Sequence, residues 1–209
     1  MLLASKGCET MFKTSLFESK PIEFLKGTIR NPAAVGSIIP SSKYLAREYI
    51  RGFDISQDKV VLELGPGTGP VTRLFHETMD DPGLYLGIEL DEGYVSVLRE
   101  RFPQMNFVCG SAEDSVAHLE DHGFEGVDLI ASALPFTTLP QEVQTRIYDQ
   151  LDELMTEGTL FRTIVLAHAY PVENARRFRR RMNRKFGQFS RSRLVWRNIP
   201  PAFVLTWRG

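Results

Sequence analysis

The segment Val60-Val61-Leu62-Glu63-Leu64-Gly65-Pro66-Gly67-Thr68-Gly69 runs from an apolar, β-branched stretch into three alternating glycines and then into a stretch with helical periodicity. A strand that enters a glycine-rich turn opening a helix lets a ligand approach the backbone where a Cβ would otherwise stand. A G-x-G-x-x-G dinucleotide turn would need its third glycine where Pro70 stands; here it comes one residue early, at Gly69, which argues against a nicotinamide dinucleotide. Glu63 sits near the end of the apolar run. Leu86-Gly87-Ile88-Glu89 then ends the next one, about 20 residues beyond the glycines, where a carboxylate can accept both hydroxyls of a ribose.

Two further segments fall at strand ends. Gly110-Ser111-Ala112-Glu113 follows the third apolar run, and Ser132-Ala133-Leu134-Pro135-Phe136 follows Asp128-Leu129-Ile130-Ala131, at the carboxyl edge where doubly wound sheets bind ligands. The spacing G-x-G-x-G after an acid resembles the first motif of S-adenosylmethionine-dependent methyltransferases. That resemblance implies that Glu63 faces the methionine end of the cofactor, that Gly65, Gly67, Thr68 and Gly69 cradle it, and that Glu89 with Leu90 takes the ribose. It also implies that Ser111, Ala112 and Glu113 stand at the adenine, where related enzymes often carry Gly-Asp-Ala, and that Ser132 lies between cofactor and acceptor. Methyltransferases acting on the exocyclic amine of adenine carry an Asn or Asp where this chain has Ala133, so the nucleobase reading loses its central residue.

Taken with Asn31-Pro32, Val35-Gly36-Ser37-Ile38-Ile39-Pro40-Ser41-Ser42 and Trp196-Arg197-Asn198-Ile199-Pro200-Pro201-Ala202, the chain resembles bacterial soluble-type phospholipid N-methyltransferases from about Phe24 to Trp207. Those are related to rRNA adenine dimethyltransferases. The resemblance implies stepwise methylation of phosphatidylethanolamine toward phosphatidylcholine. The chain departs from the pattern at Ser111 and at Glu157-Gly158-Thr159, where a Pro-Gly-Gly turn is common. A sulfonium methyl is already electrophilic, so such an enzyme chiefly aligns an unprotonated amine for in-line displacement. Ser37, the carbonyls from Ser132 to Leu134, and Tyr170 are candidates to orient the amine or relay its proton, while Tyr44, Phe136 and Tyr170 offer aromatic faces for a cationic product. Two rivals are an RNA adenine N6-dimethyltransferase and a catalytically inactive lipid- or nucleic-acid-binding module.

These groups need an α/β scaffold to hold them. Strands are expected at Lys59–Leu64, Leu84–Glu89, Met105–Val108, Val127–Ala131 and Phe161–Ala167, and helices at Ser41–Gly52, Pro70–Met79, Gly93–Phe102, Glu113–Asp121, Gln141–Leu154 and Val172–Phe186. Arg193–Asn198 and Ala202–Trp207 leave no room for a crossover helix between them and should pair antiparallel. The expected fold is a Rossmann-like seven-stranded sheet, mostly parallel with a C-terminal antiparallel hairpin, with helices on both faces. At 209 residues one domain is expected, an N-terminal amphipathic lid segment over 1–40 followed by the core over 41–209.

The overall charge of −1 conceals a local +9 between Val172 and Arg197, against −10 for the remainder. Arg176, Arg177, Arg180 and Arg184 surround an apolar stripe of Val172, Ala175, Phe178, Met182 and Phe186, a basic amphipathic helix suited to an anionic membrane surface. Ile22, Leu25 and Ile29, with Phe24, form a second amphipathic segment. Nucleic acid is the less favoured anionic partner. No apolar run approaches the ~20 residues of a membrane span, so the expectation is a cytoplasmic protein bound peripherally to the inner face of the cell membrane. Cys8 and Cys109 lack metal-ligand spacing and read as thiols in a reducing compartment. His118 and His122 read as solvated surface histidines, with no metal expected, and His168, on or just after the fifth strand, reads either as a histidine at the core edge or as one that approaches the acceptor amine.

Overall fold

The computed structural model describes residues 42–55 and 58–209, so Ser37, Cys8 and the amphipathic segment around Phe24 lie outside the described residues. Strand β1 (Val61–Leu64) is buried on both faces and lies inside the sheet. Helix α1 (Lys43–Ile50) precedes it, and α2 (Pro70–Thr78), β2 (Tyr85–Glu89), α3 (Glu92–Arg101), β3 (Asn106–Cys109), α4 (Ser115–Asp121), β4 (Leu129–Ser132), α5 (Gln141–Leu154), β5 (Leu160–Leu166), α6 (Glu173–Phe186), β6 (Ser190–Arg191) and β7 (Ala202–Arg208) follow. The seven strands lie in the order β3-β2-β1-β4-β5-β7-β6. The first five are mutually parallel, and β7 runs antiparallel to both β5 and β6. This is the expected Rossmann-like arrangement.

Alternation along the strands sorts side chains to two faces. Val61, Tyr85, Leu129 and Ala131 pack with Leu45 and Tyr49 of α1, Val71 and Phe75 of α2, and Leu98 of α3. Leu62, Leu64, Ile88 and Ile130 point the other way, toward Val143, Ile147 and Leu151 of α5 and Phe178 and Met182 of α6. An aromatic cluster ties α6 to this second face: Phe178 stacks on Phe136 with centroids 4.5 Å apart and meets Trp207 edge-on at 5.5 Å. Trp207 Nε1–H donates to Asn183 Oδ1 at 2.9 Å, so the ring is packed and its polar atom satisfied.

Local chemistry places the helix ends beside the site. Gly69 adopts a left-handed φ of 77° at the start of α2, with Pro70 in the first turn, where a missing N–H costs nothing. Asp91 accepts from the amides of Gly93 and Tyr94 and so starts α3 immediately after Glu89. The guanidinium of buried Arg162 donates to the carbonyls of Tyr49 and Arg51 (the latter at 3.0 Å), satisfying the carboxyl end of α1 from below.

Two expectations are corrected. The first strand of the C-terminal hairpin is Ser190–Arg191, not Arg193–Asn198; within the expected range only Val195 bridges to Ala202. Asn198 instead turns inward, accepting from Ser42 N–H at 2.9 Å and donating to the Pro200 carbonyl at 2.7 Å, and Pro200 and Pro201 have no amide to offer a ladder. Second, Ala175, Phe178 and Met182 of α6 are buried against the sheet. Most of the expected lipid-facing stripe is core, and α6 presents chiefly its charges.

Candidate active site

A cavity of about 430 Å³ opens at the carboxyl edge of the parallel strands. Register puts their ends level: Leu64 pairs with Ile88 and with Ser132, and Ser132 with Thr163. The loops that leave β1, β2, β3, β4 and β5 therefore converge on one space. Gly65, Gly67, Thr68, Glu89, Leu90, Ser111 and Ala112, from the loops after β1, β2 and β3, line it, as do Ala133, Leu134 and Phe136 from the loop after β4.

Glu89 is 3% exposed and held rigidly: Oε2 accepts from Gly67 N–H at 2.9 Å and Oε1 from Asp91 N–H at 3.1 Å. Burial pushes its pKa up, while these backbone donors oppose the rise. The two oxygens keep lone pairs that can accept ribose hydroxyls. Gly67, at φ 56°, has no atom within 4 Å of where a Cβ would stand, so the turn leaves open space for a ligand against its backbone. An anchored carboxylate facing a bare glycine backbone fits the ribose and methionine portions of S-adenosylmethionine.

Other expected cofactor residues stand elsewhere. Glu63 does not line the cavity. The period of two puts it on the face of Val61, under α2, where its Oε2 accepts from Tyr85 Oη–H at 2.6 Å and Thr72 Oγ1–H at 2.8 Å. Burial raises its pKa to about 7, against the lowering effect of those two hydrogen bonds. Gly69 shapes the turn from beneath, since a Cβ there would lie 2.8 Å from Leu98 Cδ2. Glu113 pairs with Arg146 instead of lining the cavity.

Ser132, expected between cofactor and acceptor, does not line the cavity: it is fully buried at the end of β4, with its hydroxyl accepting from Leu134 N–H at 3.3 Å and its carbonyl from Tyr49 Oη–H at 2.7 Å. The Leu134 carbonyl accepts from Phe136 N–H at 2.9 Å. Tyr170 lies off the cavity lining, its ring against the guanidinium of Arg179 at 4.0 Å and that of Arg191 at 5.1 Å. Tyr44 likewise lies outside the lining and bears Arg197 at 4.8 Å from its ring centre. Both rings thus already carry cations. Arg176, Arg177, Arg180 and Arg184 lie on the exposed face of α6; Arg180 pairs with Glu173, and Arg177 reaches Asn174 at 3.4 Å.

Sequence reasoning passed over Thr163. It lines the cavity from β5, is 1% exposed, and its hydroxyl has no hydrogen-bond partner among the described residues. A buried hydroxyl without a partner is costly unless a ligand satisfies it. A threonine inside a strand carries no signal of this kind, because β-branched residues are ordinary there. Asn198 also reaches the lining, as does exposed His168. His118 is half-buried, not solvated: it packs over Gly110, its Nε2 has no partner among the described residues, and burial lowers its pKa. Among the described residues no cluster of His, Cys, Asp or Glu is suited to a metal ion.

The strand order, the glycine turn and the acid that ends β2 define a Rossmann-like fold with a site suited to a nucleoside cofactor. Residues 61–158 match the family described as methyltransferase domain. The chain is 30% identical over 192 residues to the ornithine lipid N-methyltransferase of Singulisphaera acidiphila, an alignment covering 89% of this chain and 94% of that one. Among solved structures it superposes on a TehB-like S-adenosylmethionine-dependent methyltransferase from Corynebacterium glutamicum (16% identity, 90% of this chain and 97% of the other, TM-score 0.51). It also superposes on Aeropyrum pernix fibrillarin with natively bound S-adenosylmethionine (12% identity, 78% and 72%, TM-score 0.56). The chain belongs to the class I S-adenosylmethionine-dependent methyltransferases, and S-adenosylmethionine is its cofactor.

Proposed function

We propose that this enzyme methylates the primary amine of a membrane aminolipid, with phosphatidylethanolamine carried toward phosphatidylcholine as the first substrate to test. One observation carries the reading. The same cavity that holds the glycine turn and Ala133 is walled by apolar Val143 and Ile147 of α5, Val165 of β5 and Phe178 of α6, a lining of the kind an apolar substrate portion occupies. The family-level match to a lipid N-methyltransferase supports the same class.

When bound, the cofactor supplies an electrophilic methyl on its sulfonium. The chain's task is then alignment and desolvation of the amine. Thr163, with its unsatisfied hydroxyl at the level of Ser132, is the side chain best suited to orient the nitrogen, and Phe136 provides an apolar wall beside it. Ala133 leaves out the amide that would hold a nucleobase amine, which disfavours RNA adenine as acceptor.

A second reading, an ornithine lipid as acceptor, is favoured by the name of the Singulisphaera relative. Both are tested together by mass spectrometry of lipids after incubation of the protein with S-adenosylmethionine and vesicles containing each lipid, with Gly67→Arg as the control. Mass increments of one, two or three methyl groups on either lipid, absent in the control, support the class and select the acceptor. Unmodified lipids despite calorimetric cofactor binding refute it.

A further inference from the structure

With the stripe of α6 buried, the apolar part of any membrane contact must come from elsewhere. The large exposed hydrophobic side chains among the described residues are Val97, Val172, Trp196 and Ile199. Three of these belong to two loops that touch at one edge. Ala167 N–H donates to the Pro201 carbonyl at 2.8 Å, joining the segment that leaves β5 for α6 to the segment that enters β7. Val172, 47% exposed, ends the first loop; Trp196 and Ile199, each 74% exposed, stand in the second. This is the carboxyl edge of the parallel strands, and both loops also reach the cavity, through Val172 and Asn198.

We infer that the Trp196–Ile199 loop is a membrane-docking wedge that seats the cavity mouth on an anionic bilayer. Tryptophan is favoured at the lipid–water boundary, because its ring is apolar and its indole N–H stays wet. Exposed Arg193 precedes the wedge and exposed Arg197 lies within it, and α6 begins beside it with Arg176 and Arg177, while its first residue, Glu173, is paired with Arg180, so the charge around the wedge complements anionic headgroups. Asn198 anchors the loop from within: it is 4% exposed and bonded to Ser42 and Pro200, which holds its two neighbours outward. The inference rests on the aminolipid reading, since a wedge at the mouth would present the cavity directly to headgroup amines.

The two tryptophans make the test specific, because Trp207 is 1% exposed and Trp196 is 74% exposed. The full chain is mixed with vesicles containing phosphatidylglycerol and brominated phosphatidylcholine, and quenching is compared with that of Trp196→Phe. The wedge predicts strong quenching in the wild type, confined to the component that Trp196→Phe removes, and roughly tenfold weaker partitioning for a Trp196→Ala/Ile199→Ala double variant with an unchanged circular dichroism spectrum. Equal quenching in wild type and Trp196→Phe overturns it. So does shielding of Trp196 from both brominated lipid and aqueous iodide, the result expected if residues 1–41 cover the loop. Methylated aminolipid formed without Trp196 quenching leaves the functional reading standing and removes the wedge. Quenching without product in the lipid assay does the reverse.

Discussion

Glu63→Gln is expected to flatten the pH dependence of stability. The Glu63 carboxyl is 2% exposed and its pKa is raised from 4.5 to about 7, chiefly by burial. The folded state thus holds a proton that the unfolded chain releases at lower pH, so this group favours folding most below pH 4.5, and that contribution is lost as pH rises toward 7. At about 1.4 kcal/mol per pH unit, the displacement corresponds to about 3 kcal/mol. Glutamine retains an oxygen for Tyr85 and Thr72 but does not ionise. Urea titrations of the cofactor-free protein and of Glu63→Gln, run between about pH 5 and 8, check this through the difference in unfolding free energy. That difference should move in favour of the variant by about 2 to 3 kcal/mol across the range, corresponding to several degrees in Tm for a chain of this size. Contributions from the surface carboxylates enter both curves and cancel, whereas Glu89, whose charge helps raise the Glu63 pKa, cancels only in part. Parallel curves would refute the claim that Glu63 is driven toward its neutral form by burial.

Glu89→Gln should weaken S-adenosylmethionine binding by roughly 10- to 100-fold, the loss of about 1.5 to 3 kcal/mol for hydrogen bonds to a charged acceptor, and calorimetry showing less than a threefold change would remove it as the ribose ligand. Gly69→Ala and Gly67→Ala both force a Cβ onto a left-handed backbone, but only the former drives it to 2.8 Å from Leu98. Gly69→Ala should therefore be the less stable by about 1 to 3 kcal/mol in denaturant titrations, while Gly67→Ala should lose more cofactor affinity. Arg162→Met should cost about 2 kcal/mol and lower hydrogen-exchange protection at the end of α1, whose carbonyls it leaves unsatisfied; unchanged protection there would show that α1 needs no support from β5. Thr163→Val, nearly isosteric, should reduce kcat in the lipid assay without altering cofactor affinity, and an unchanged kcat would remove Thr163 from the acceptor site.

The parallel core was legible because each signal was local. Short apolar runs marked the strands, helical periodicity marked α2 to α6 within a few residues, and Gly65, Gly67 and Glu89, singled out by their spacing, do line the cavity. What spacing could not resolve was direction. Glu63 and Glu89 stand near the ends of adjacent strands and look equivalent in a string of letters, yet one accepts hydrogen bonds from Thr72 and Tyr85 beneath α2 and the other fronts the cavity. As isolated aromatics Tyr44 and Tyr170 fit the cage of a cation, but Arg197, far along the chain, covers the first, and Arg179, from the helix that follows, covers the second.

The membrane-facing elements show the same ambiguity at a larger scale. A stripe of Ala175, Phe178 and Met182 has one appearance whether it meets a bilayer or a sheet, and the aromatic seam with Phe136 and Trp207 decides for the sheet. Trp196 belonged to the expected strand Arg193–Asn198 and Ile199 to the connector after it, and once two prolines and an inward Asn198 keep this stretch out of the ladder, both apolar side chains stand in solvent. An apolar segment that neither pairs nor packs has no folding reason to be apolar. A functional reason is then the stronger explanation, which is why the displaced first strand of the hairpin, and not the hairpin itself, points to where this methyltransferase would meet its substrate.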